Sequence, residues 1–283
     1  MLITLHDKEQ PWPEGSHCKN AIVSIVFGEP YQKNWIAACK NTWIAYADKH
    51  GFDIVIVTYR IDTSERARSR SLSWQKLLIL DQPWAHHYER LVWVDADIVF
   101  SKTAPNILNA VPDRRKIGIS AGYDQLSAYE RQIFVERLVK VSYGDVDAEL
   151  LWKFFQQNNF KEYGITSENG LMFNAGVMVL SAQEHNGLFL RVYGNEDRGR
   201  LYEQPYLSHI LISENAYHRI SPRFNWGVLE LIVLQYPQLV NRATSIDEIK
   251  SIMPHLLNEL DKAFFLHFAG CPNIFEGYSA LVS

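Results

Sequence analysis

Residues 91–100, LVWVDADIVF, drive two carboxylates, Asp95 and Asp97, into the middle of an apolar run. A buried, unpaired carboxylate is costly, so the acids must either leave the core at a strand end or meet a compensating positive charge. Residues 91–94 have the continuous apolar character of a strand buried on both faces. The acids then fall where the chain leaves the sheet, and in parallel α/β sheets ligands sit in the crevice beyond the carboxyl ends of the strands. With a side-chain period of two, both acids point to one side, about 7 Å apart if extended, while Ala96 points away. Two such carboxylates repel each other. A divalent cation removes that cost, and oxygen ligands suit Mg²⁺ and Mn²⁺, which keep open positions for phosphate oxygens. The plain alternative is a pair of solvated acids at a strand end. A D-x-D triplet alone recurs by chance, and its weight here comes from the buried strand before it and IVF after it.

The composition frames this reading. The 283 residues are 47% hydrophobic and 13% aromatic, enough for a large core, and the length permits one α/β domain. Twenty-eight basic against thirty-two acidic residues give a net charge of −4, which implies no general nucleic-acid affinity. No run of about 18 apolar residues predicts a transmembrane helix, which leaves peripheral membrane contact open. The start, MLITLHDKEQPWPEG, lacks the pattern of a secretory signal. Cys18, Cys39 and Cys271 have no metal-site spacing, as expected of reduced thiols in a cytoplasm.

Working outward, residues 1–20 read as an irregular leader with Pro11, Pro13 and Gly15, and residues 21–283 as one domain. AIVSIVF (21–27) and DIVIVT (53–58) are strands of the same buried type, with a helix over 31–50 closed by Gly51. This βαβ unit predicts a right-handed crossover and a mainly parallel sheet. Residues 60–73 carry arginines at 60, 66, 68 and 70 and read as a solvated loop or a mobile basic loop for anions. SWQKLLILDQPW (73–84) predicts an amphipathic helix stopped before Pro83, and helices are predicted from about 104 and over 127–141, 146–157, 186–193, 203–213, 228–234 and 246–261. Further strands are predicted at 117–120, within LMFNAGVMVLS (171–181), and at AFFLHFAG (263–270).

LVWVDADIVF, LMFNAGVMVLS and FLHFAG together resemble three landmarks of GT-A-fold glycosyltransferases. The likeness is most to the retaining galactosyl- and glucosyltransferases of families 8 and 34, and it covers most of residues 21–270. It implies that Asp95 and Asp97 hold Mn²⁺ or Mg²⁺ on the diphosphate of a UDP-sugar. It also implies that His267, in an H-x-x-G pattern ending at Gly270, is a third metal ligand. The family's Lys-Pro-Trp is absent, since Cys271-Pro272-Asn273 follows, which leaves the diphosphate short of a cation. Lys76, in a W-x-K segment like that of family 34, or an arginine at 66–70, would supply it. Lys76 would equally hold Asp95 ionised, and otherwise reads as an ordinary exposed lysine.

Gly28, Tyr59, Gly176 and Gly270 are assigned to the donor by the same resemblance. Gly within a strand marks close approach by a ligand or another backbone, or a plain bulge. Asn174 can donate to and accept from sugar hydroxyls. Glu203-Gln204-Pro205 opens a helix, where an acid also suits the dipole. In retaining enzymes of this fold an acidic-Gln pair lies beneath the anomeric carbon, which casts Gln204 and Glu203 as catalytic with Asn174. Trp226 is a candidate for stacking on a sugar or, more simply, a core residue.

The expected function is therefore metal-dependent transfer of a hexose, galactose or glucose, from a UDP-sugar to a sugar or glycan. No carboxylate stands out as a general base among Asp124, Glu168 and Glu203, which fits retention better than inversion. Two alternatives use the same residues. DADIV satisfies the D-x-D-x-[TV] signature of haloacid-dehalogenase-type phosphatases, although there it follows the first strand of the fold. A protein that binds a nucleotide sugar without turnover is the other.

Overall fold

The computed structural model describes residues 1–15, 17–143, 160–161, 163–166, 171–198, 201–240 and 242–283. The helix expected over 146–157 and Glu168 lie outside them. Ten strands are described: β1 (Leu2–Leu5), β2 (Asn20–Ile25), β3 (Phe52–Val57), β4 (Arg90–Val94), β5 (Ile98–Phe100), β6 (Ile117–Ala121), β7 (Phe173–Leu180), β8 (Tyr217–Arg219), β9 (Trp226–Gly227) and β10 (Phe265–His267). Seven form one sheet in the order β1-β3-β2-β4-β7-β6-β8, and β5-β10-β9 form a smaller one. The three apolar runs at 21–27, 53–58 and 91–94 are adjacent parallel strands. Only the pairs made by β7 are antiparallel in the large sheet.

Alternate residues of the central strands bury into different cores. Ile22, Ile54, Val92 and Val94 face Trp43 and Tyr46 of the helix Lys40–His50, together with Ile249, Leu256 and Phe275 from two later helices. Val23, Val55, Leu91 and Trp93 face Trp74 and Leu77–Leu80, with Phe189 and Leu207 from the helices Ala182–Tyr193 and Gln204–Ser213. Apolar residues at every position are what a sheet covered on both faces requires. The chain is thus α/β, with helices on both sides of a mixed, mainly parallel sheet.

Three departures from the sequence reading and one further feature bear on the site. Residues 1–20 are not wholly irregular, since Leu2–Leu5 pair in parallel with β3 at the sheet edge. The segment expected as an amphipathic helix is a 3-10 helix, Leu72–Asp81, in which Trp74 through Leu80 are all buried beneath the helix Ala182–Tyr193. An amphipathic helix needs a wet face, and this segment has none. The arginine-rich loop contains a short helix, Glu65–Arg68, and two of its arginines are spent on structure. Arg66 Nη2 donates to Gly194 O (2.6 Å) and Arg70 Nη1 to Tyr193 O (2.9 Å), capping the C-terminal carbonyls of the helix Ala182–Tyr193. Lastly, β10 is not a strand of the large sheet. It runs antiparallel to β5 and parallel to β9.

Candidate functional site

Strand directions bring the three sequence landmarks together. β4 ends at Val94, opposite Val177 of the antiparallel β7, so the start of β7 lies beside the end of β4. Asp95 N donates to Gly176 O (2.8 Å), which sets the N-A-G triplet against the first acid. The pairing of β7 with β6 slips here, from Ile119 with Met178 to Ser120 with Asn174, so a bulge interrupts the ladder at this triplet. After Asp97 the chain enters β5, whose Ile98 pairs with His267. Phe268 N donates to Asp97 O (3.1 Å) and ties the two segments once more.

Residues 95–97 form a turn, not the extended stretch assumed above. The turn swings both carboxylates toward His267, and one ligand atom from each of the three residues lies within 4.8 Å of the others. His267 Nε2 is 3.3 Å from Asp97 Oδ1 and 3.9 Å from Asp95 Oδ2. Its tautomer follows from the network around it. Asn225 Nδ2 donates to Asn174 O (3.2 Å), so Asn225 Oδ1 is the atom 2.7 Å from His267 Nδ1 and accepts its proton. Nε2 then points at the acids, free to share a proton with them or to ligate a cation. Burial works against the charged imidazole, but Asp97 and then Asp95 outweigh it and raise its pKa. Burial likewise works against the Asp97 carboxylate, and His267 outweighs it and lowers that pKa.

Lys76 is buried, in contrast to the exposed lysine of a solvated helix. Its Nζ donates to Asp95 Oδ1 (3.0 Å) and Ala175 O (3.3 Å), and lies 3.2 Å from Glu203 Oε1. Trp93 Nε1 also donates to Asp95 Oδ1 (2.8 Å), while Oδ2, which faces His267, accepts only a longer contact from Lys76 Nζ (3.4 Å). With His267 neutral, as a metal ligand must be, Asp95, Asp97 and Glu203 carry three formal negative charges against one on Lys76. The surplus matches a divalent cation, and the donor set of two carboxylates and one imidazole suits Mn²⁺ or Mg²⁺.

The remaining candidates divide. Gln204 Oε1 accepts from Ala175 N (3.3 Å), and Asn174 Oδ1 accepts from Gly176 N (2.9 Å), so among the described residues both amide NH₂ groups remain for a ligand in the cleft. Gly176 lines the cleft, and its missing side chain makes room for a protein group: a Cβ would collide with the His267 ring, reaching 2.7 Å from Nδ1. Gly270 turns the chain after β10 with φ 72° and borders the cleft. Gly28 and Tyr59 are not brought to the cleft wall, which is formed in that region by Phe27 and Tyr31. Tyr59 packs at the edge of the core instead. Trp226 donates to Glu259 Oε2 (2.7 Å) and packs against the core, so it serves packing. Asp124 lines the cleft but is paired with Arg219. Asn225, Tyr123, Arg131 and Glu230 also line the cleft and were not picked out from the sequence. An acid within the apolar run GVLELIVL was the available signal for Glu230.

Since Gly176 is what admits the His267 ring, Gly176→Ala is expected to lower Mn²⁺ affinity at least about tenfold by displacing that ring. Titration calorimetry with unchanged affinity would show that His267 takes no part.

The cleft has a volume of about 780 Å³, within the range of small-molecule sites. The fold is similar to the GT-A fold of solved glycosyltransferases. The structure of a glycosyltransferase involved in the glycosylation of the major capsid of PBCV-1 superposes on 93% of this chain and 100% of its own, with a TM-score of 0.53 and 13% identity. The galactosyltransferase LgtC, in complex with donor and acceptor sugar analogs, superposes on 93% of this chain and 96% of its own, with a TM-score of 0.50 and 13% identity. No protein-family model matches the sequence. No curated protein matches it either.

Proposed function

We propose that this chain is a metal-dependent glycosyltransferase that moves a hexose, galactose or glucose, from a UDP-sugar to a sugar or glycan, with retention at the anomeric carbon. The observation that carries the reading is the grouping of Asp95, Asp97 and His267 at the floor of the cleft, with a surplus negative charge. These three residues would hold Mn²⁺ or Mg²⁺, which supplies Lewis acidity for charge that develops on a leaving diphosphate.

The protein's own groups do the rest. Lys76 holds Asp95 ionised and oriented, and also pins Glu203. Asn174 and Gln204 offer amide donors beside the acids, suited to sugar hydroxyls. Retention is favoured because Glu203 and Asp124, two carboxylates considered as bases, are each held by a cationic side chain. A phosphatase of the haloacid-dehalogenase type is disfavoured, because Asp95 follows the fourth strand in chain order and not the first. Three unbonded cysteines support a cytoplasmic setting for the reaction.

The test is a screen of UDP-, GDP- and CMP-sugars with Mn²⁺, reading donor hydrolysis, with NMR of the transferred sugar's anomeric configuration. Hydrolysis of a UDP-hexose that stops with EDTA is expected. No metal-dependent cleavage of any donor would remove the proposal.

A further inference from the structure

Glu230 is the third residue of the helix Val228–Gln235, and it lines the same cleft although it is only 8% exposed. Among the described residues its carboxylate is met by its own backbone N–H and by no other donor. Burial pushes the carboxyl up to about 7, against smaller opposing effects of that N–H and of His267. A buried acid without partners weakens a fold, so its place here calls for a ligand.

The neighbouring backbone is arranged to keep this carboxylate open. A Cβ on Gly227 would overlap Glu230 Oε2, so the carboxylate as placed uses the room that the glycine leaves. The nearby donor, Gly227 N–H, is already taken by Gln125 Oε1 (2.7 Å), while Gln125 Nε2 donates to Gly227 O (2.9 Å). Tyr123 completes this wall at φ 62°, a conformation that bulky side chains adopt where local strain is tolerated at a working site. Burial, and then the nearby Glu230, raise the pKa of its hydroxyl, so it stays a neutral donor.

Position decides which part of a substrate arrives here. Gly227 pairs with His267 across β9 and β10, so Glu230 stands on the small-sheet side of the candidate cation. The opposite side is built by the ends of β2, β3 and β4, the crevice that takes nucleotides in open α/β sheets. We propose that Glu230 receives the acceptor, its two carboxylate oxygens accepting the O–H groups of a vicinal diol on a neutral sugar. A carboxylate accepts only, and adjacent ring hydroxyls present two donors that it can engage together. The identity of the ligand rests on the glycosyl-transfer reading above.

The experiment compares wild type with Glu230→Gln, a near-isosteric change that removes the charge. Saturation-transfer NMR with methyl galactoside, methyl glucoside and lactose, with and without UDP and Mn²⁺, reads sugar binding directly. Kinetics with a UDP-hexose and the best of these sugars read transfer. We expect sugar binding and acceptor KM to worsen at least about tenfold, with the loss falling on acceptor KM rather than on donor KM or kcat. The urea midpoint at pH 8 is expected to rise, because the variant no longer buries a charge. Equal sugar binding in both proteins, or binding by neither, overturns the proposal. So does a loss confined to kcat, which marks a base, or a lowered midpoint with sugar binding kept, which marks a structural acid. Sugar binding that depends on Glu230 in a protein that cleaves no UDP-sugar upholds this proposal and removes the donor reading alone.

Discussion

Asp97→Ala is expected to lower Mn²⁺ affinity by more than about a hundredfold and to abolish the metal-dependent part of UDP binding. The reason is the small size of the donor set. Asp95 gives Oδ1 to Lys76 and Trp93, and its Oδ2, more weakly held by Lys76, is the oxygen that faces His267. Asp97 supplies the oxygen nearest to His267 Nε2. Without it, one carboxylate oxygen and one imidazole remain, too few to hold a hard cation against water. The same substitution removes the main influence that raises the pKa of His267, leaving burial to favour the neutral ring. In wild type, cation binding must displace the proton shared in this pair, so calorimetry in buffers of different ionisation enthalpy should detect proton release. In Asp97→Ala that release should be lost with the affinity. UDP affinity that stays metal-dependent in the variant would refute the site.

Lys76→Met is expected to destabilise the metal-free protein by about 3–5 kcal/mol at neutral pH, the cost of breaking a buried ion pair from one side. Methionine nearly fills the same volume, so the loss reports charge and not a cavity. Asp95 and the buried Glu203 would then face each other with no cation between them. Burial opposes the charged lysine, but Asp95 and Glu203 outweigh it and raise its pKa, so in wild type the stabilisation is fully present at neutral pH. It is lost only as pH rises through that elevated value. Burial has also raised the pKa of Glu203, so the variant's deficit should narrow as pH falls and this carboxyl takes up a proton. Urea unfolding in EDTA at pH 5 and pH 8 checks both statements. A change under about 1 kcal/mol at pH 8 would show that Lys76 does not neutralise this pair.

What could be read from the sequence follows from the range of the interactions involved. β2, β3 and β4 were legible because strands covered on both faces need apolar residues throughout, and Asp95 and Asp97 stood out against that background. β1 was not legible, since Leu2–Leu5 is an edge strand with partly exposed positions, set among polar residues. The 3-10 helix Leu72–Asp81 escaped because its apolar run has no local period and depends on a helix 100 residues later to cover it. The destination of the arginines escaped for the same reason, since Arg66 and Arg70 find their partners at residues 193–195. Lys76 between Asp95 and Glu203, and Asn225 behind His267, are contacts between distant segments that spacing does not encode. Gly176 was visible as an oddity in a strand, but the ring that occupies its missing side chain's place was not.

The division of the candidate ligands between two sheets has a consequence for synthesis. Asp95 and Asp97 follow the fourth strand and are among the first parts of the fold to leave the ribosome, with their parallel neighbours already made. His267 lies on the last strand of the small sheet, and β5 has no partner until that strand arrives. A nascent chain therefore carries both acids, until residue 267 is made, without the imidazole that would complete a metal site. Cation capture becomes available only after the large sheet can close and the segment carrying β10 has docked. An incomplete product cut short before residue 267 would keep much of the core while lacking the chemistry.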